Sequence, residues 1–191
     1  MKTLLLAAAA ALALSACSTV PATSAGPAGA SMPAASTVST ARSATVNLAS
    51  ASASLVSGRL VARPMAGGVH LTGEIGGLAP NSTHAIHIHE KGDCSAADAS
   101  SAGGHFNPGG APHGKVGAGP HHGGDMDNLV ANAQGVAPVN VHASGVTLGG
   151  GAANDVAGRA VVVHATADDY ASQPAGNAGA RVACGVIVVT R

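Results

Sequence analysis

Apolar residues and imidazoles alternate in the run Thr83-His84-Ala85-Ile86-His87-Ile88-His89-Glu90. Successive side chains of a β-strand point to opposite faces, so His87 and His89 share one surface while Ile86 and Ile88 pack on the other. Two imidazoles side by side make half of a metal chelate. Val161-Val162-Val163-His164 has the same logic: Val161 and Val163 line one face, and His164 projects from the opposite one. A lone strand histidine is more often structural than a ligand, but a chelating pair needs further partners. Between these two runs a Gly-rich segment carries His105, His113, His122 and Asp125. Three imidazoles and a carboxylate are a donor set suited to tetrahedral zinc. His121 adjoins His122, and spacing alone leaves either ring as the ligand.

These residues need a scaffold, and the chain reads as all-β. Short β-prone stretches fall between Gly, Pro and Asn punctuation at 44–48, 54–62, 69–75, 83–90, 129–131, 139–143, 159–164 and 185–190. Eight such stretches without a sustained helical period predict a sandwich or barrel. A brief Ala-rich stretch, 96–102, is also compatible with helix. Two long segments, 91–127 and 165–183, interrupt the strands and hold most of the chemically interesting polar residues. Loops of that length inside a compact domain are usually functional.

Composition narrows the function classes. The 191 residues carry no formal net charge, and only 9% are charged. That balance lacks the basic patch a nucleic-acid binder needs to neutralise phosphates. One Phe, one Tyr and no Trp accompany ten His and 27 Gly. The core must therefore be built from Val, Leu, Ile and Ala, and so many imidazoles in a neutral chain point to metal or proton chemistry.

The N-terminal region has a different character. Lys2 precedes eleven apolar residues, Leu4 to Leu14, followed by Ser15, Ala16 and Cys17. This is the pattern of a secretory signal over 1–16, and it is too short for a membrane span of about 20 residues. Leu14-Ser15-Ala16-Cys17 resembles the bacterial lipoprotein box, which makes Cys17 the expected lipidated residue. Ser18 after it favours, by the same resemblance, the outer membrane on the periplasmic side of a Gram-negative envelope. Of the 26 residues from 18 to 43, 22 are Ala, Ser, Thr, Pro or Gly. A stretch so poor in apolar bulk is expected to form a flexible tether over 17–43, with a reach of roughly 30 Å. The working domain then spans 44–191. Cys94 and Cys184 remain as an even pair in an exported, oxidising setting, and neither has a neighbouring Cys at zinc-site spacing. They are expected to form a disulfide, whose loop closure is worth about 4 to 5 kcal/mol in the chain-entropy account.

Taken together, His87-Ile88-His89-Glu90, Gly104-His105-Phe106-Asn107-Pro108, His122-Gly123-Gly124-Asp125, Gly158-Arg159 through His164, and Gly176 through Ile187 resemble the copper/zinc superoxide dismutase family, bacterial exported type. The resemblance covers essentially all of 44–191. It implies an eight-stranded Greek-key β-barrel or sandwich, immunoglobulin-like, with long metal-binding and electrostatic loops. It implies one copper and one zinc per subunit, and disproportionation of superoxide to oxygen and hydrogen peroxide.

Residue by residue, the resemblance makes His87, His89, His105 and His164 copper ligands, and His105, His113, His122 and Asp125 zinc ligands. His105 then bridges both metals, and His122 is preferred over His121. Cys94 and Cys184 fall at the family's disulfide positions. Arg181 matches the arginine beside copper, Asp168 the carboxylate linking one ligand of each metal, and His84 a buried histidine beneath the copper site. His70 and His142 read as strand-face histidines without a metal role. No Lys or Arg lies between His164 and Arg181, so attraction of the anionic substrate is expected to be weaker or to pass to Lys91, Lys115 or Arg63. A homodimer is one assembly the resemblance allows. The alternative reading is a periplasmic copper- and zinc-binding lipoprotein without turnover.

Overall fold

The computed structural model describes residues 35–190. The expected signal peptide, the lipidated Cys17 and the tether as far as residue 34 lie outside the described residues.

Seven strands form one curled antiparallel sheet: β1 (Ser43–Ser50), β2 (Ser57–Met65), β3 (Gly68–Gly76), β5 (Ile86–His89), β7 (Ala137–Ser144), β8 (Ala160–His164) and β9 (Arg181–Thr190). Their order is β5-β8-β9-β1-β2-β3-β7, and every ladder is antiparallel. A second ladder pairs β4 (Thr83–His84) with β6 (Leu129–Val130). Because β4 runs into β5 and β6 leads towards β7, this short ladder lies between the two ends of the large sheet. The result is a Greek-key barrel, as expected, with nine strands in place of the eight anticipated.

Alternation explains the core. Val46, Leu60, Leu71, Ile75, Ile86, Ile88, Val161, Val163 and Ile187 point inward and are almost completely buried. At about 25 cal/mol for each Å² of apolar surface buried, each such side chain contributes about 1.5 to 3 kcal/mol, so Val, Leu and Ile suffice where aromatics are scarce.

The run 83–90, expected as one strand, is broken at Ala85. The N–H of Ala85 donates to Thr166 O, and its carbonyl accepts from the N–H of His164. These bonds redirect the chain from the β6 ladder to the β8 ladder and join the start of the second long loop to the strand that carries the histidine pair. The 96–102 stretch contains only a 3₁₀ turn, Ser100–Ala102.

The opposite face of β8 supports a smaller cluster in which Ala160, Val162 and Cys184 pack against Ala51, Ala99 and Ala102. The Cys94–Cys184 disulfide closes it across a sequence separation of 90. The first long loop is thereby fastened over the strand pair that carries His89 and His164.

Folded contacts begin before residue 44. Ser36 N–H donates to Oδ1 of Asn154 at 2.8 Å, and Nδ2 of Asn154 returns a bond to Ser36 O at 2.7 Å. Thr40 and Ala41 both donate to Leu148 O, and Leu148 N–H donates to Oγ of Ser39. The last residues of the expected tether are therefore held by backbone hydrogen bonds, which an apolar count does not register.

Candidate metal centre

His87 and His89 leave β5 on the face away from Ile86 and Ile88, and His164 ends the adjacent strand β8. His105 lies in the first long loop but forms an isolated antiparallel bridge with His89, so the loop runs along the free edge of β5. Phe106 N–H donates to Ile88 O, Ile88 N–H donates to Gly124 O, and Gly124 N–H donates to Phe106 O. Gly124 permits this approach, since a Cβ there would lie 2.1 Å from Ile88 O. Phe106 and Met126 sink into the core on either side and anchor the loop.

The side chains fall into two sets. In one, His87, His89, His105 and His164 each offer a ring nitrogen, and these atoms lie within 4.8 Å of one another. The other set is His105, His113, His122 and Asp125, within the same limit. His105 belongs to both.

In the first set, hydrogen bonding settles which nitrogen is free. Nε2–H of His87 donates to Oδ2 of Asp168 at 2.9 Å, and Nδ1–H of His89 donates to Gly103 O at 2.9 Å. Nδ1 of His164 faces Gly179 O at 3.4 Å. Each ring is thus protonated away from the cluster. The remaining atoms, Nδ1 of His87 and Nε2 of His89, His105 and His164, are buried without a hydrogen-bond partner. Orphaned buried polar atoms are rare and costly, so four convergent lone pairs fit a soft-to-borderline cation such as copper. Burial pushes the His87 imidazole down to about 4, His164 to about 3 and His89 to about 2, leaving all three neutral and ready to ligate at neutral pH.

The second set converges on one oxygen. Oδ1 of Asp125 lies 2.9 Å from Nδ1 of His105, 3.0 Å from Nδ1 of His113 and 3.4 Å from Nδ1 of His122; the His105 and His122 nitrogens are 3.3 Å apart. A tetrahedron of ligands about 2.0 Å from its centre has edges of about 3.3 Å, so this donor set matches zinc. The other carboxylate oxygen, Oδ2, accepts backbone N–H bonds from His122 and Gly114, which aims Oδ1 at the three rings. Burial opposes ionisation of Asp125, but His105 and these two N–H groups outweigh it and hold the carboxyl well below its usual range.

Asp168 joins the two sets. Its Oδ2 accepts from His87, and its Oδ1 accepts from Nε2–H of His113 at 2.9 Å. Both side chains of each pair are shut off from solvent. Asn128 grips the Asp168 backbone on both sides, its Nδ2 donating to Asp168 O and its Oδ1 accepting from Asp168 N–H.

Arg181 is brought in by a β-bulge. The β8–β9 register shifts so that Val163 faces Ala183 but His164 faces Arg181, which leaves Val182 as an extra residue and puts the guanidinium on the His164 side. Its Nη1 and Nη2 donate to Ala99 O and Gly103 O, two carbonyls of the disulfide-held loop. A cleft of 420 Å³ opens above the first set, lined by His89, His105, His164, Arg181, Pro174 and Ala175 among others.

Residues 56–187 match the profile of the copper/zinc superoxide dismutase (SODC) family. The chain belongs to this family. It is 47% identical over 114 residues to superoxide dismutase (Cu-Zn) 2 of Aquifex aeolicus, covering 58% of this chain and 67% of that relative. It is 43% identical over 125 residues to superoxide dismutase (Cu-Zn) of Caulobacter vibrioides, covering 63% and 71%. Among solved structures, a SOD-like protein from Bacillus subtilis superposes with a TM-score of 0.68 at 34% identity, covering 75% of this chain and 97% of that one. The clock protein EA4 superposes with a TM-score of 0.70 at 35% identity, covering 80% and 98%. As a superoxide dismutase of the Cu/Zn type, the chain is an enzyme that carries copper and zinc. Its disulfide and its bacterial relatives fit an extracytoplasmic protein.

Within this family domain, the structure brings every residue of the expected ligand sets together. It seats His122 in the second set and turns His121 aside, with Nδ1 of His121 bonded to His122 O. His84 lies beneath, its Nδ1–H donating to His164 O at 2.8 Å and its Nε2 meeting Oγ of Ser82 at 2.6 Å. The alternative cations lie elsewhere. Neither Lys91, Lys115 nor Arg63 lines the cleft, Lys115 instead sitting over the Tyr170 ring, 5.2 Å from its centroid. Two supporting residues, Gln173 and Asn128, gave no motif signal. Gln173 clamps His113, its Oε1 accepting from His113 N–H and its Nε2 donating to His113 O, both at 2.9 Å. Gly176 and Asn128 shape the surroundings of Asp168. Gln173 and Asn128 act across 60 and 40 residues, which spacing cannot reveal.

Proposed function

We propose that the chain disproportionates two superoxide anions to oxygen and hydrogen peroxide, with copper held by His87, His89, His105 and His164 and zinc by His105, His113, His122 and Asp125. Bound copper would supply the one-electron redox couple, whereas zinc, which has none, would have a structural part.

The chain's own residues handle charge and protons. Arg181 presents a permanent cation at the cleft, with donors suited to a small anion, and Pro174 and Ala175 are apolar members of the same lining. Reduction of superoxide to hydrogen peroxide consumes two protons. Nε2 of His105 is buried among the first set while Nδ1 is held in the second, so Nε2 would be the atom placed to carry a proton for the product. Asp168 fixes the ring planes of His87 and His113 by accepting from both.

The observation that carries this reading is the membership of His105 in both ligand sets. A protein that only stored metal would need neither a shared imidazole nor a cleft arginine. The test is metal analysis of the purified protein with a superoxide-consumption assay before and after chelation. One copper and one zinc per chain, with activity lost on chelation and regained on reloading, is expected; full loading without turnover would favour the storage reading.

We also infer that Cys17 is lipidated and tethers the domain to the periplasmic side of the outer membrane. The lipoprotein box ending at Cys17, followed by Ser18, supports this. Cys17→Ser should release the protein from the membrane fraction without changing its specific activity.

A further inference from the structure

Among the described residues, seven buried side-chain nitrogen or oxygen atoms have no hydrogen-bond partner. Four are the ring nitrogens that face one another in the first ligand set. Two of the other three are Nδ1 of His70 and Nδ1 of His142. The feature that marks the copper ligands thus recurs at a second pair of imidazoles.

These residues are placed to act together. His70 on β3 and His142 on β7 are directly opposed in the antiparallel ladder. Their neighbours Val69, Leu71, Val141 and Ala143 point into the core, so the two rings share the outer face. The ring centroids are 6.3 Å apart. His105 and His164, which belong to one ligand set, have the same separation of 6.3 Å.

The proton position on His70 also favours ligation. Nε2 of His70 lies 2.7 Å from Oδ1 of Asn140, an acceptor, so Nε2 carries the proton and Nδ1 is left with a lone pair. The His142 ring extends towards Gly68, where an added Cβ would come within 3.0 Å of its Nε2. Glycine at 68 is required first by the Ala143 carbonyl, 2.0 Å from that Cβ position, and the ring lies beside this close approach. Arg63 faces His70 from β2 and is exposed to solvent. A nearby guanidinium disfavours non-specific attraction of cations, so binding here depends on dative bonds from nitrogen.

We propose that His70 and His142 form a third metal site, on the outer face of the β3–β7 ladder, for a late first-row divalent cation with water completing its coordination. Imidazole nitrogen suits zinc, nickel and copper, whereas magnesium and calcium require oxygen donors. The site is separate from the cleft, and its two orphaned nitrogens are themselves buried.

The test titrates Ni²⁺ into protein already loaded with copper and zinc, followed by amide NMR and calorimetry. One further Ni²⁺ per chain is expected, with paramagnetic broadening centred on the His70 and His142 segments of β3 and β7. His70→Ala and His142→Ala should each weaken this binding by about tenfold or more and leave superoxide consumption unchanged. Absence of saturable Ni²⁺ binding in the wild-type protein would overturn the proposal, as would binding that survives both substitutions or broadening centred on His121. The wild-type broadening map locates the site even if one variant fails to fold.

Discussion

Nε2 of His87 and Oδ2 of Asp168 meet at 2.9 Å with both side chains closed to solvent, and the other oxygen of the same carboxylate holds His113. One residue outside either ligand set thus fixes a ring in each. Asp168→Asn replaces one acceptor oxygen with a donor, so one of the two Nε2–H groups loses its partner. Zinc affinity should fall by about 10- to 100-fold, read by competition with a chromophoric chelator. Unchanged affinity would mean that the rings are held by packing alone.

Gly176 adopts φ +68°, and a Cβ there would stand 1.8 Å from Oδ1 of Asp168 and 2.7 Å from Nε2 of His113. Gly176→Ala should therefore cost about 1 to 3 kcal/mol and lower zinc affinity with it. Gly109, with open space around its Cβ position, is the control: Gly109→Ala should be close to neutral in both denaturant unfolding and zinc competition.

Much of this centre was legible because strand periodicity is strict. Alternation in 86–89 places His87 and His89 on one face with no further information, and the Gly-rich segment offers the second set apart from the choice between His121 and His122, which the family resemblance makes. Other features depend on the path of the chain in three dimensions. The turn at Ala85 arises from bonds to Thr166 and His164, and the bulge that presents Arg181 arises from the β8–β9 register. Gln173 reaches His113 across 60 residues. The charge pattern left Lys91, Lys115 and Arg63 as candidates for attracting the anion, but placement away from the cleft is a property of the fold. Residues 36–41 resembled tether because composition records side chains and not the backbone bonds that hold them.

The metal-free protein should be acid-sensitive in a defined window. Burial depresses His87, His164 and His89 to about 4, 3 and 2 in the folded state, against 6.5 for an exposed ring. The unfolded chain then binds more protons below pH 6.5, so their stabilisation is complete above that pH and is lost as pH falls towards the folded values. Each group contributes a loss of about 1.4 kcal/mol per pH unit in that range. His113, raised by Asp168 and Asp125 against the opposing effect of burial, acts in the other direction but is one group against three. Denaturant midpoints of the metal-free protein should fall steadily from pH 7 to pH 5; a flat profile would contradict this.

Arg181 is the only cation among the residues lining the cleft. Arg181→Ala should lower kcat/KM by about tenfold and flatten its dependence on ionic strength, with metal content unchanged. Arg181→Lys should restore part of the salt dependence but less of the rate, because an ammonium cannot span Ala99 O and Gly103 O as the guanidinium does. An Ala variant with full rate and unaltered salt dependence would remove the arginine from the account.

The central claim is that His105 serves both ligand sets, and the most direct test compares superoxide consumption per bound copper in the wild-type protein and in His105→Ala, each with its copper and zinc content counted. The wild type should hold one copper and one zinc per chain and turn over rapidly; the variant, at matched copper content, should lose about 100-fold or more in rate because proton delivery and the link between the sets are gone together. Full loading of both metals with undiminished turnover in His105→Ala would contradict the account.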